Sequence, residues 1–397
     1  MFKPFFINHN LCQEEIDISN IQNFWNAVAG NTGNSFIAHS IINILYGKTV
    51  KIEGITNIWQ CNLAEFDTDK INAEYTHVVL IMQDQIRNHD SYYKGIDCGA
   101  IANFLEKIKI PLITFSLGCN AFSEGELSNL HNTVDPEMKR ILSIISHKTP
   151  QIGVRGNYTA EILEKLGIKN VAVTGCPSFF TTQSKKIRKN PLTKIATNGG
   201  MQTKFLANTS HYHIMQDLYE SKFVEYIAFG GNYPDIIHET DKYQETIMKN
   251  GNLRIFSSMD DWAKFVRTMD LVVGTRVHCG IMAINQGTPA IITNSDFRAK
   301  EMCQLFKIPL HPEFYHTTNL QEAFEKADYK PLETHYPILK ENFGKYLKSH
   351  GLNVDNIKKS GVKAYKQPRL KIANVNDDDS STLKARLKYY LHKIIPQ

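Results

Sequence analysis

The chain has 397 residues, 42% hydrophobic and 21% charged, which is too long for one ordinary core and too apolar for a disordered chain, so two domains of roughly 150 to 180 residues are expected. The formal net charge is +5. Ten Lys or Arg against three Asp give Lys358 to Gln397 a charge of +7 and leave residues 1–357 at −2, so the body lacks the basic surface of a nucleic-acid binder.

Seven scattered cysteines without a C-x-x-C pair predict reduced thiols and no zinc site. No apolar run approaches the roughly 18 to 20 residues of a transmembrane helix. Met1 to Asn10 lacks the apolar core and small-residue cleavage site of a secretory signal, so residence in the cytosol is expected.

In chain order, Gly30 to Asn34 precedes an amphipathic helix of about three turns, with Phe36, Ile37, Ile41, Ile44 and Leu45 on its apolar side. Strands are predicted at 78–82, 112–115 and 151–155. A helix from Asn157 to Leu166, ended by Gly167, and a strand at 171–174 complete a βαβ rhythm that implies a parallel sheet. The polar stretch 181–191 lacks apolar periodicity and reads as the interdomain connection.

A second block restarts the rhythm: strand 194–197 into Gly199-Gly200, helix 211–219, strand 226–229 into Gly230-Gly231, helix 239–249, and strand 254–256. Helix 260–269, strand 271–273, helix 277–285, strand 290–293 and helix 298–306 follow. The expected fold is α/β, two Rossmann-like doubly wound domains facing a cleft: 1–185 and 186–350, the second closed by a helix near 336–347. Ligands in such sheets sit beyond the carboxyl ends of the strands.

A polar linker, 351–380, leads to a tail, 381–397. There Leu383, Leu387, Leu391, Ile394 and Ile395 recur at helical spacing with Lys384, Arg386, Lys388 and Lys393 on other faces. This is the pattern of a helix lying in a membrane interface, of a solvated tail helix, or of one packed on the protein or a partner.

The sharpest chemical feature is Gly274-Thr275-Arg276-Val277-His278-Cys279-Gly280, where a strand turns into a helix. Arg276 can hold a phosphate or carboxylate bidentately and His278 can exchange a proton near neutral pH; the alternative is an Arg276 that caps the sheet edge with an ion pair and a His278 that is a satisfied polar residue. Arg155 repeats the arrangement in the first domain and can reach the same anion. Gly30-Asn31-Thr32-Gly33-Asn34 is either an anion or hydroxyl cradle or a plain helix entry, and it is not a Walker A loop. Gly199-Gly200 and Gly230-Gly231 fit ligand loops or ordinary turns. Asp377-Asp378-Asp379 reads as a solvated run with an N-cap, and no metal-ligand or nucleophile-elbow motif occurs.

Together these segments resemble the polysaccharide pyruvyl transferase family over about residues 25 to 305. The resemblance rests on Asn31-x-Gly33-Asn34, Val154-Arg155-Gly156-Asn157-Tyr158, Phe256-Ser257-Ser258-Met259, Val273 to Gly280, Gly287-Thr288-Pro289 and Lys300. It implies a GT-B-like pair of Rossmann domains, with phosphoenolpyruvate as donor and a lipid-linked or nucleotide-linked sugar as acceptor, joined as a pyruvate ketal in surface polysaccharide synthesis. It further implies that Arg155 and Arg276 hold phosphoenolpyruvate, that Lys300 assists, and that His278 is the acid/base residue. Asn31, Gly33 and Asn34 join the substrate site, and no cofactor or metal is required. Asp84 and His89 are candidates for the base.

The sequence departs from the family in Gln83-Asp84-Gln85, in place of a glycine-rich turn, and in Gly175-Cys176-Pro177-Ser178, in place of Asp-Pro. A nucleotide-sugar glycosyltransferase on the same scaffold and a non-catalytic sugar- or partner-binding protein are the competing expectations. The tail adds an expected anionic membrane partner at the inner face of the cell membrane.

Overall fold

The computed structural model describes residues 2–13, 18–88, 96–199, 211–293, 296–312, 319–359 and 361–372. Strands β1 (Pro4–Ile7), β2 (Gly54–Ile55), β3 (His77–Ile81), β4 (Leu112–Leu117), β5 (Ile152–Val154) and β6 (Val171–Val173) form one sheet in the order β2-β1-β3-β4-β5-β6. Strands β7 (Ile195–Asn198), β8 (Tyr212–Ile214), β9 (Leu253–Arg254), β10 (Leu271–Gly274) and β11 (Ala290–Ile292) form a second, β11-β10-β7-β8-β9. All their pairings are parallel. Helices cover both faces, so central strands such as β3 and β4 are apolar runs rather than alternating ones. The two doubly wound sheets expected from the βαβ rhythm are present.

Two expected elements are exchanged. Residues 212–214 form β8, where a helix is predicted, and Ser221–Phe229 is a helix where a strand is predicted at 226–229. His213 and Ile214 are buried between β7 and β9, and a three-residue buried run carries no period by which to tell strand from helix. In the helix, Phe223, Val224 and Ile227 share one buried face, and Gly230 ends it in the left-handed conformation. Gly230-Gly231 is therefore a helix stop and not a strand-to-helix turn. Strand β1, absent from the sequence reading, lies inside the first sheet; Pro4 is tolerated as its first residue.

The strands sort on either side of position 185, but the helices do not. The N-terminal helix Ile21–Ala27 packs against Ser221–Phe229, with Phe24 and Phe229 ring centroids 5.9 Å apart. Helix Lys330–Ser349 crosses to the first sheet, where Phe343 and Tyr346 lie 6.2 and 5.8 Å from Phe115 and the Tyr346 hydroxyl donates to the Thr114 carbonyl. One apolar core runs from Val79, Ile113 and Phe115 through helix Thr32–Tyr46 to Val272 and Ile292 of the second sheet. The polar connection is packed as well: the Lys185 ammonium sits 4.6 Å from the Phe179 and Tyr336 ring centroids and donates to Thr182 Oγ1. Among the described residues no helix is long and apolar enough to cross a membrane. The tail 381–397 lies outside the described residues.

Candidate active site

The second sheet reverses its strand order between β7 and β10, the crevice where open α/β sheets bind ligands. The strands approach closely there, since a Cβ on Gly274 would stand 2.2 Å from the Asn198 carbonyl oxygen. Asn198 Oδ1 accepts from the Arg276 amide at 2.7 Å, fixing Arg276 as N-cap of helix Val277–Asn285. The Arg276 guanidinium pairs with the carboxylate of Asp217, which follows β8. Burial pushes the Asp217 carboxyl up, against the Arg276 charge. Neighbouring Gln216 also lines the crevice.

The facing wall comes from the first sheet, and its strand ends are bent. Ser116 at the end of β4 has φ +62°, inside a register break between Thr114 and Leu117, and Gln83 after β3 has φ +55°. Such irregularities re-aim side chains beside functional sites. The Arg155 side chain, 1% exposed, donates from Nε to Ser116 Oγ at 3.0 Å, and its Nη1 lies 4.0 Å from Asp84 Oδ1. Arg298 of helix Phe297–Phe306 reaches the same Asp84 at 3.2 Å and Asp296 at 3.0 Å. Arg87 also pairs with Asp84. Burial alone would raise the Asp84 carboxyl, but the guanidiniums of Arg87, Arg298 and Arg155 outweigh it and hold it well below the usual carboxylate range.

His278 stands between the walls. Burial first, then the guanidiniums of Arg155 and Arg298, push its imidazole down to about 3, with Asp84 opposing. Its Nε2 lies 3.5 Å from Cys176 Sγ. Arg155, Arg276, Arg298, His278, Asp84, Asn31, Asn34 and Gln216 thus share one cavity of about 40 Å³.

Of the residues expected from sequence, Arg155, Arg276, His278, Asn31 and Asn34 meet here. Gly33 does too, and a Cβ on it would lie 3.1 Å from His278 Cβ and 3.2 Å from Gln216 Nε2. Its segment is not an amide cradle, however. The Thr32 amide donates to the Gln216 carbonyl, the Gly33 amide to Asn31 Oδ1, and the Asn34 amide to the Asn31 carbonyl. Lys300 is not brought in: its ammonium lies over the Phe297 ring at 4.4 Å, and Arg298 takes the place expected for it. Asp84 is a counter-ion among three guanidiniums and a poor base, while His89 lies outside the described residues. His278, expected as the acid, is neutral at rest. Among the described residues no three His, Cys, Asp or Glu side chains gather as metal ligands.

Asp217, Gln216, Arg298, Ser116 and Glu301 are among the participants that no sequence pattern announces. Glu301 accepts from the Thr159 amide at 2.7 Å and its hydroxyl at 3.0 Å, so the second half of the chain caps the helix Asn157–Lys165 that follows Arg155.

Residues 31–296 match the sequence pattern of one family, described as polysaccharide pyruvyl transferase. No curated protein matches the chain. Among solved structures, a UDP-N-acetylglucosamine 2-epimerase from Rickettsia bellii is similar at 12% identity and a TM-score of 0.44, over 91% of this chain and 99% of that one. HepE of Anabaena, crystallised with UDP and glucose, is similar at 10% identity and a TM-score of 0.41, over 90% of this chain and 98% of that one.

Proposed function

Because the chain belongs to the polysaccharide pyruvyl transferase family, we propose that it transfers the pyruvyl group of phosphoenolpyruvate to two hydroxyls of a sugar as a ketal, releasing phosphate, during surface polysaccharide synthesis. The observation that carries this reading is the convergence of Arg155, Arg276 and Arg298 from both walls on one cavity. A phosphate and a carboxylate on adjoining carbons need several guanidinium forks at fixed positions. In the resting protein Asp84 and Asp217 occupy those forks. A cavity of about 40 Å³ holds water but not the donor, so the donor enters by displacing these carboxylates or parting the walls.

Two hydroxyl oxygens bond to the central carbon of the donor and its bond to the phosphate oxygen breaks. Of the two hydroxyl protons, one ends on the methylene carbon, making the methyl, and one on the released phosphate. Arg155, Arg276 and Arg298 stabilise the departing phosphate, and His278 carries protons. Burial, the larger cause of the depressed His278 imidazole, remains when the donor binds, while the donor's negative charge offsets the part due to the guanidiniums. The acceptor in this reading is a lipid-linked or nucleotide-linked sugar. The basic tail holds the enzyme on an anionic membrane face, where lipid-linked sugars reside.

Incubation with carbon-labelled phosphoenolpyruvate and a panel of such acceptors tests the reading. Acceptor-dependent phosphate release, with label in an acid-labile ketal, is the expected result. No release with any acceptor, alongside turnover of a nucleotide sugar, would sink it in favour of a glycosyltransferase.

A further inference from the structure

The resting site poses a difficulty that its own geometry answers. A neutral imidazole cannot give a proton to the donor's methylene carbon without becoming an anion, unless its other nitrogen receives a proton at the same time. Behind the ring lies Cys176, wholly buried, with its sulfur 3.5 Å from His278 Nε2. That sulfur accepts the Ser178 hydroxyl at 3.0 Å and the Ser116 hydroxyl at 3.4 Å. Ser116 is in turn held by Arg155 Nε at 3.0 Å and aimed by the left-handed turn at the end of β4. With two hydroxyls donating into the sulfur, the thiol hydrogen is left for His278 Nε2.

We propose that Cys176 is the positioning residue and proton reservoir of His278: its S–H donates to Nε2, sets the tautomer with hydrogen on Nδ1, and resupplies the ring during transfer. This rests on the pyruvyl-transfer reading. As Nδ1–H gives its proton to the methylene carbon, the thiol proton passes to Nε2, leaving a thiolate held by Ser116 and Ser178. One sugar hydroxyl proton returns through the ring to sulfur, and the other leaves on phosphate, so hydrogen and charge balance. The position usually filled by aspartate in the family that the chain resembles is thus taken by a thiol whose hydrogen faces His278.

The first test needs no turnover. Nitrogen-15 spectra of the ligand-free protein are expected to show hydrogen on His278 Nδ1 with Nε2 as acceptor, and Cys176→Ala is expected to release Nε2 from that bond. Hydrogen on Nε2 in the unaltered protein would overturn the proposal. The second test is kinetic. Cys176→Ala should lower kcat about 100-fold with the donor KM unchanged, and Cys176→Ser, which keeps a donating hydrogen, should recover about 10-fold of that.

The kcat–pH profile should lose a limb in the alanine variant only; the charged groups facing the ring, Arg155, Arg298, Asp84 and neighbouring Arg276, are the same in all three proteins. Unchanged kcat and pH profile in Cys176→Ala would overturn the relay. If the unaltered protein released no phosphate with any acceptor, the pyruvyl-transfer reading would fail and take the relay's transfer step with it. The spectra would still decide the Cys176–His278 bond.

Discussion

The two walls of the cleft are built by different means. On the second-sheet wall, Arg276 and His278 occupy a regular strand-to-helix turn at a strand-order reversal, so ordinary βαβ geometry places them. On the first-sheet wall, Arg155, Ser116 and Asp84 are placed by strained strand ends and full burial. Arg276 on the regular wall keeps 23% of its side chain exposed, against 2% for Arg155 on the strained one. A charge on the strained wall is part of the core.

The sharpest break of that contrast comes from matched substitutions. Arg155→Met and Arg276→Met should each lower turnover about 1,000-fold, as expected for loss of a group aimed at developing negative charge. Their stabilities should part. Arg155→Met should cost about 3 kcal/mol in urea denaturation, because it unbalances a buried charge cluster. Arg276→Met should cost under about 1 kcal/mol, because the Arg276 side chain is 23% exposed against 2% for Arg155, so solvent replaces more of the lost pairing. Equal losses of stability would erase the distinction between the walls.

A smaller effect isolates the strained backbone. Ser116→Gly relaxes the left-handed conformation and Ser116→Ala retains it, while both remove the hydroxyl from Arg155 and Cys176. The glycine variant should be about 1 kcal/mol more stable than the alanine variant, with similar losses of activity. Alanine equal to glycine would mean that β4 bears no strain there.

A more distributed effect is on acid stability. Burial holds His9, His39 and His350 down at about 4, and His278 at about 3. Their folded values lie below the unfolded value of about 6.5, so the unfolded chain binds more protons between the two. Stability is therefore full above about pH 6.5 and falls as the pH drops toward 4, read as a Tm that is lower at pH 4.5 than at pH 6.5. His9→Asn with His350→Asn, both on the first-sheet side, should flatten this slope more than His278→Asn alone.

The contrast also explains what could be read in the sequence. Arg276 and His278 were legible because a glycine-flanked strand-to-helix turn carries its own pattern. Arg155 was legible as a residue, since it precedes a capped helix, but its partners were not: no local pattern announces a left-handed Ser116 or a clamped Asp84. Asp217 and Gln216 are hidden because β8, only three residues long, carries no period to separate it from the helix expected at 211–219. Arg298 and Lys300 stand two residues apart in one helix, about 200° around its axis. They face nearly opposite sides of the helix, and only its placement against the two sheets tells which one enters the cavity.

Helix Lys330–Ser349, which crosses to the first sheet, has a consequence for how the protein is made. Residues 2 to 180 emerge from the ribosome well before it does, yet Phe115 and the carbonyl of Thr114 find their covering partners in Phe343 and Tyr346. Until the chain has been extended past Ser349, the nascent first sheet carries an uncovered apolar face. Truncation within that helix should therefore damage the solubility of the half of the molecule synthesised first.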